Sequence, residues 1–148
     1  MANINKTAIV PHSAAQMYAL VNDIEAYPDF LPNCSASNIL SANEDEIKAS
    51  LTLEWNGVEK SFSTCNRLQK DKMIEVRLEE GPFKHLEGYW RFEALSSDAC
   101  KIVFDLEFEI AGALLSAVFG PVFKQIMIKL VDAFVERAKI IYGTADAS

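Results

Sequence analysis

The 148 residues carry 21 acidic and 14 basic side chains, a formal net charge of −7, and half of them are hydrophobic. This length suits one domain, residues 1–148, that buries about two-thirds of its unfolded surface, and the acidic balance argues against DNA or another general polyanion as a partner. The cysteines at positions 34, 65 and 100 are widely spaced and form no CxxC pair. They favour a reducing compartment over a disulfide framework.

Two features bear on membranes. The first six residues lack a charged segment followed by an apolar core, so we expect no secretory signal. The longest nearly apolar stretch runs from Ile110 to Phe123 and is shorter than the about 20 residues that span a bilayer. We therefore predict a soluble, cytoplasmic protein.

The chain is predicted to begin with a weak strand from Asn5 to Val10 and a short helix from Ala14 to Asn22. Ser13 precedes this helix and is a suitable N-cap, because its hydroxyl can accept a bond from the first turn. A second short helical or turn segment is expected before the sheet continues.

That second segment contains Pro28 and Pro32. The two prolines forbid a continued helix and favour extended backbone at Tyr27 and Leu31. With Phe30, these residues carry too much apolar surface for a solvated linker. The segment either docks its aromatic side chains at the edge or mouth of a sheet, or serves only as a packed connection.

The hydrophobic period then changes to two, which predicts half-buried strands. Asn56 and Gly57 tolerate positive φ and indicate a hairpin between two of them. In chain order the strands cover Ser37 to Leu40, Ile47 to Trp55, Val58 to Leu68, Ile74 to Leu78, Leu86 to Ala94 and Cys100 to Ile110. With the first strand the count is about seven, and the short connections imply an antiparallel sheet with one wet and one dry face.

A long helix closes the chain. Pro121 suits its first turn, apolar residues recur at helical spacing, and Gly143 is a plausible stop. The predicted architecture is α+β: a strongly curved antiparallel sheet wrapped around one C-terminal helix, the helix-grip arrangement, with two short helices after the first strand.

Several ordered motifs resemble the START-like family that includes the coenzyme Q-binding proteins and the bacterial ribosome association toxins, and the resemblance covers nearly the whole chain. The motifs are 23–34 (DIEAYPDFLPNC), 62–68 (FSTCNRL), 80–92 (EGPFKHLEGYWRF), 104–109 (FDLEFE) and 119–124 (FGPVFK). One departure is Asn33, where many quinone-binding members have Trp. The segments 7–11 and 16–21 look closer to the toxin branch.

The resemblance implies a helix-grip domain with an apolar cavity and two functions. One is non-enzymatic binding of ubiquinone or a related isoprenoid lipid in support of respiration, the lipid being a ligand rather than a cofactor. The other is the toxin of a toxin–antitoxin pair, which binds the large ribosomal subunit and has a small antitoxin protein as partner. A polyketide cyclase-like enzyme shares the fold and is the third alternative.

Large side chains of common inward parity either fill a solid core or wall a pocket between sheet and helix. Polar Lys60, Thr64 and Asn66 share that face, and they either enter the pocket or reach water at its mouth. The resemblance favours a pocket. The candidate ligand-binding residues are Phe30, Trp55, Phe62, Thr64, Asn66, Trp90, Phe92, Phe104, Phe108, Phe123, Met127, Leu130 and Phe134.

The sequence offers few residues that could form a catalytic or metal site. His12 and His85 have no second histidine at metal-ligand spacing, so we expect no zinc site on that ground. His85 and Glu87 form an acid–base pair on paper, but exposed pairs of this kind are common. No cysteine has a neighbouring histidine to activate it.

Two surface contacts complete the expectations. Arg67, Lys70 and Lys72 form the densest basic cluster and are the candidate ribosome contact. The segment from Ala111 to Phe123 is expected to be a mobile, partly exposed lid that touches a membrane surface, which would place the protein at the periphery of the inner membrane.

Overall fold

A computed structural model describes residues 2–143 as one sheet, two α-helices and a short 3₁₀ helix. The strands are β1 (Ala2–Val10), β2 (Cys34–Ala42), β3 (Glu46–Trp55), β4 (Val58–Gln69), β5 (Met73–Glu80), β6 (Phe83–Ser96) and β7 (Ala99–Ile110). The helices are α1 (Ala14–Asn22), the 3₁₀ helix (Ile24–Asp29) and α2 (Ala113–Tyr142).

The seven strands form one sheet in the order β1-β7-β6-β5-β4-β3-β2, and every neighbouring pair is antiparallel. From β2 to β7 each strand pairs with the next, as short hairpins require. The turn between β3 and β4 has positive φ at Asn56 and Gly57, so the predicted hairpin is confirmed. Because β1 and β2 lie at opposite edges, α1 and the 3₁₀ helix must carry the chain from one edge to the other.

The core lies between the inner face of this sheet and α2. Buried α2 residues recur at helical spacing and include Phe119, Phe123 and Phe134, which are at most 1% exposed. Ser13 caps α1 through a capping box with Gln16, and Gly143 ends α2 with φ of 84°. The α+β helix-grip prediction is confirmed.

The start of α2 differs from the prediction. The helix begins at Ala113, and Pro121 lies inside it rather than in its first turn. An interior proline removes one backbone hydrogen bond, but packing compensates, since Phe119 is fully buried and stacks on Trp55 with ring centroids 4.7 Å apart. The C-terminal helix therefore begins earlier and is longer than the sequence indicated.

Within residues 2–143, α2 is the one helix long and apolar enough to cross a membrane by length and composition alone. Its buried residues face the sheet.

The proline-containing segment is also different. Tyr27 is in the 3₁₀ helix with Pro28, not in extended backbone. The Tyr27 hydroxyl donates to the carbonyl of Val21, and its ring packs edge-on against Phe134 with centroids 5.5 Å apart. These tertiary contacts override the backbone preference before proline. The segment packs on β2 and, through Tyr27, on Phe134 of α2.

Candidate functional site: an apolar cavity between the sheet and the C-terminal helix

A cavity of about 80 Å³ lies between the inner face of the sheet, α2 and the segment from Tyr27 to Cys34. Its walls are apolar apart from a few groups on β4 and the short helices. Nine sequence-predicted residues line it: Phe62, Thr64, Asn66, Trp90, Phe104, Phe123, Met127, Leu130 and Phe134. The fold therefore brings most of the candidates to one space; whether they bind a ligand stays a prediction.

Four candidates do not line the cavity. Trp55 stacks on Phe119 and Phe92 packs edge-on against Tyr18. Phe108 contacts the rings of Phe83 and Phe123. Phe30 contacts the rings of Tyr27 and Phe134 and lies against the Arg137 guanidinium. Strand parity predicts which face a side chain takes but not its position along the strand. The sheet extends beyond the cavity, so residues of correct parity fall outside it.

Phe123 borders the cavity from deep within the core. It is fully buried and meets the rings of Phe62, Phe83, Phe108 and Phe119 at centroid distances of 5.9, 5.0, 4.7 and 5.6 Å. It is a central packing residue that only borders the cavity on one side.

Polar groups converge at one wall. Thr64 and Asn66, successive inward positions of β4, are 7% and 9% exposed, and the Thr64 hydroxyl donates to the Asn66 side-chain oxygen over 2.9 Å. This bond uses the Asn66 acceptor, and the Asn66 amide nitrogen has no hydrogen-bond partner among the described residues. Lys60, the third polar position, is half-buried and outside the lining.

No Asp, Glu, Lys, Arg or His belongs to the cavity lining formed by residues 2–143. Burial raises the pKa of the Tyr27 phenol. Burial also raises the pKa of the Cys34 thiol, and a hydrogen bond to the backbone of Ala36 only partly opposes this rise. Both lining groups are thus held in their neutral forms. The wall offers neutral hydrogen bonding and apolar contact.

Sequence analysis missed part of the wall. The 3₁₀ helix and its exit contribute Tyr27, Leu31 and Pro32, and the sheet contributes smaller aliphatic side chains of inward parity. These missed residues are Val21, Tyr27, Leu31, Pro32, Cys34, Leu51, Leu53, Ile74, Val76, Leu86, Leu106 and Ile126. The alternating pattern already indicated that the aliphatic strand residues face inward, but most of the predicted lining residues were aromatic.

The cavity is small for a lipid. Sites for drug-sized ligands are about 300–1,000 Å³, and a cavity of about 150 Å³ admits benzene. A bulky ligand therefore requires the walls to separate. The lining residues Pro32, Leu51, Val76 and Leu130 are only half-buried, so the wall is partly accessible to solvent at these positions.

The expected lid, Ala111 to Phe123, is helical from Ala113 and has two distinct faces. Leu114 and Val118, one helical turn apart, are 81% and 56% exposed, whereas Phe119 and Phe123 are buried. The segment is thus partly exposed as expected. Its mobility and its contact with a membrane stay predictions.

The basic cluster surrounds the β4–β5 turn, where Arg67, Lys70 and Lys72 are all exposed. Arg67 lies opposite Glu46 on β3 and opposite Glu75 on β5. These carboxylates reduce the local positive potential. The cluster is exposed enough for a contact but is not strongly basic.

Fold and cavity together define a helix-grip protein with a neutral, apolar interior site. A solved START superfamily protein from Mycobacterium smegmatis matches the fold with a TM-score of 0.70 at 22% identity, over 91% of this chain and 97% of that one. The family model described as polyketide cyclase / dehydrase and lipid transport matches residues 10–135.

The chain belongs to this family of polyketide cyclases, dehydrases and lipid transport proteins. It is 44% identical to the ribosome association toxin RatA of Escherichia coli K12 over 97% of this chain and 90% of the relative. It is 30% identical to the mitochondrial coenzyme Q-binding protein COQ10 homolog B of Xenopus laevis, over 94% of this chain and 59% of the relative.

Proposed function

We propose that this protein binds a neutral lipophilic molecule that carries a carbonyl group, namely an isoprenoid quinone such as ubiquinone. The protein would act without catalysis, in support of respiration. The observation that carries this proposal is the uncharged cavity wall, in which Thr64 and Asn66 form a hydrogen-bonded polar pair. A fatty-acid carboxylate or a phosphate placed there would be an unpaired buried charge, which costs several kcal/mol. A neutral ligand avoids that cost.

Asn66 is the proposed contact for the polar end of the ligand. Its amide nitrogen is a free donor beside an otherwise apolar space, and a quinone carbonyl is an acceptor. A neutral hydrogen bond contributes about 0.5–1.5 kcal/mol, which orients the ring but leaves most of the affinity to apolar burial. The isoprenoid tail would lie along the aliphatic wall and leave between the half-buried residues Pro32 and Leu130.

Loading requires that the cavity open. The exposed Leu114 and Val118 at the start of α2 form an apolar strip that can contact a membrane surface, where such lipids reside. A cytoplasmic protein that visits the inner membrane through this strip accounts for both the soluble fold and the apolar ligand. Separation of α2 from the 3₁₀ helix would then admit the ligand.

The test is a titration of a short-chain quinone against tryptophan fluorescence in a Trp55→Phe background, so that the signal comes from Trp90 in the cavity wall. Saturable quenching is expected. Asn66→Leu should weaken binding by about tenfold, the equivalent of one hydrogen bond, while a ring analogue without carbonyl groups should bind both proteins equally. Absence of saturable quenching would overturn the proposal.

Ribosome association is the second candidate function, because the 44% identity to a ribosome association toxin extends over 97% of this chain. A net charge of −7 repels rRNA at long range, so a contact must be local. Arg67, Lys70 and Lys72 are the proposed contact, and a small antitoxin protein would be the other partner. A cyclase-like reaction is third, since the described cavity wall supplies no charged acid–base group.

Cosedimentation with purified large subunits across a salt series tests this candidate. The triple alanine variant at positions 67, 70 and 72 should reduce the slope of log affinity against log salt by roughly two to three units. A wild-type protein that never cosediments would refute ribosome binding. A triple variant with the wild-type slope would refute only this choice of contact.

A further inference from the structure

A group of metal-ligand side chains lies on the outer face of the sheet, outside the apolar cavity. His85 and Glu87 are two residues apart on β6 and share that face, and Glu107 on β7 is directly opposite Glu87 in the strand register. One ligand atom of each residue lies within 4.8 Å of the others. Rigid strand pairing, rather than loop conformation, brings the three together.

The separations suit a shared ion better than direct hydrogen bonding. The His85 Nε2 atom is 3.8 Å from Glu87 Oε1 and 3.6 Å from Glu107 Oε2, and this nitrogen is buried without a hydrogen-bond partner. Ligand atoms bound to zinc at about 2.0–2.1 Å in a tetrahedron are roughly 3.3 Å apart. Side chains that are 31–49% exposed can close the remaining difference by small rotations.

We propose that His85, Glu87 and Glu107 form a site for a divalent transition-metal ion of the zinc class. One imidazole nitrogen and two carboxylate oxygens suit zinc and its first-row neighbours, whereas magnesium and calcium prefer oxygen ligands alone. Three protein ligands leave a fourth position for water. Glu87 and Glu107 also line a surface groove, together with Arg77, Tyr89 and Asp105.

The surrounding charges support the proposal. Two carboxylates directly opposite each other on neighbouring strands repel, and Glu109, opposite His85 in register, adds to the negative charge. Arg77 lies opposite Glu87, but its guanidinium makes no ion pair with it among residues 2–143. A bound cation removes this repulsion. It would also fasten β6 to β7 on the face opposite the cavity, so the site is independent of the lipid proposal.

A simpler arrangement would be a protonated His85 attracted to both carboxylates without a metal. Isothermal titration calorimetry of tag-free protein with zinc chloride, and separately with magnesium chloride, distinguishes the two. We expect one zinc ion per chain, at least tenfold weaker binding for His85→Ala and for Glu107→Gln, and no saturable magnesium binding. Glu93→Gln, an exposed carboxylate further along β6, is the matched control and should bind zinc as wild type does.

Cobalt(II) gives a second readout, because a nitrogen-ligated tetrahedral cobalt site absorbs visible light. The wild-type spectrum should be lost in His85→Ala, and circular dichroism should show that each variant is folded. Absence of saturable zinc binding, or equal affinity in wild type and His85→Ala, would overturn the proposal. Equal affinity would assign the ion to another group, such as the half-buried Cys65 thiol.

Discussion

Phe123→Ala should be among the most damaging single substitutions in this fold. The side chain is fully buried and contacts four other aromatic rings, from β4, β6, β7 and the preceding turn of α2. Phe→Ala in a core costs about 3–5 kcal/mol, and more where the surroundings cannot collapse. Four large rings on strands and a helix cannot move together, so we expect the upper half of this range.

Leu130→Ala is the matched comparison, because Leu130 lies on the same helix and borders the same cavity but is only half-buried. It should cost roughly half the 2–5 kcal/mol of a fully buried leucine. In thermal unfolding, at about 2–4 °C per kcal/mol for proteins of this size, Phe123→Ala should lower the Tm by roughly 8–20 °C. Urea denaturation monitored by circular dichroism gives the free energies directly.

A loss below about 1 kcal/mol for Phe123→Ala would refute the packing argument. So would a larger loss for Leu130→Ala than for Phe123→Ala. Quinone affinity separates the residues further, since widening the half-buried side at Leu130 should change binding while the protein stays folded.

Three further predictions concern the backbone, the titrating groups and the start of α2. Gly88→Ala should destabilise the fold by roughly 3 kcal/mol or more, because a Cβ there would lie 2.1 Å from a backbone carbonyl oxygen of β7. Gly120→Ala should instead stabilise α2 by about 0.5–1 kcal/mol, because the nearest atoms to a Cβ there are 3.9 Å away. Urea denaturation of both variants measures the two free energies. Burial raises the pKa of the Cys100 thiol from 9.0 to about 11, so this thiol keeps its proton to a higher pH in the folded state than in the unfolded state. The free energy of unfolding should therefore fall as the pH rises from 9 towards 11, and it should fall less in Cys100→Ala. An equal fall in both proteins would contradict the assignment to Cys100. Hydrogen exchange at residues 113–118, before the buried Phe119, should be fast in the free protein and slow with liposomes, and strong protection of these residues without liposomes would show that they are ordinary core.

The sequence was sufficient for the sheet and its order of hairpins, because alternation along β3 and β7 is strong, the connections between strands are short, and Asn56 and Gly57 signal the turn between β3 and β4. It underestimated strand ends such as residues 34–36 of β2, where two of the three side chains are exposed or half-buried and the alternation fades. Pro121 led to the wrong start for α2, since the preference of proline for a first turn contributes less free energy than the burial of Phe119, two residues earlier. Local preferences cannot include that contact, because its partner Trp55 is distant in sequence.

For the candidate site, parity identified the wall but not its extent. Thr64 and Asn66 were found because polar residues interrupt an inward face, a signal visible in the sequence. Tyr27 and Leu31 were recognised as apolar, but Tyr27 was assigned extended backbone instead of the 3₁₀ helix, and their place in the wall depends on the packing of that helix against α2. Spacing along the chain did not indicate a metal site at His85, Glu87 and Glu107, because Glu107 approaches His85 only through the pairing of β6 with β7.

The most direct test of the lipid-binding proposal is native mass spectrometry of the protein purified from its own host without detergent, followed by lipid extraction. The cavity wall predicts one neutral, carbonyl-bearing isoprenoid lipid per chain, and a reduced occupancy in Asn66→Leu purified in the same way. Protein free of lipid would contradict the proposal. A fatty acid or phospholipid as the bound species would contradict it equally, since the described cavity wall has no charge to pair with one.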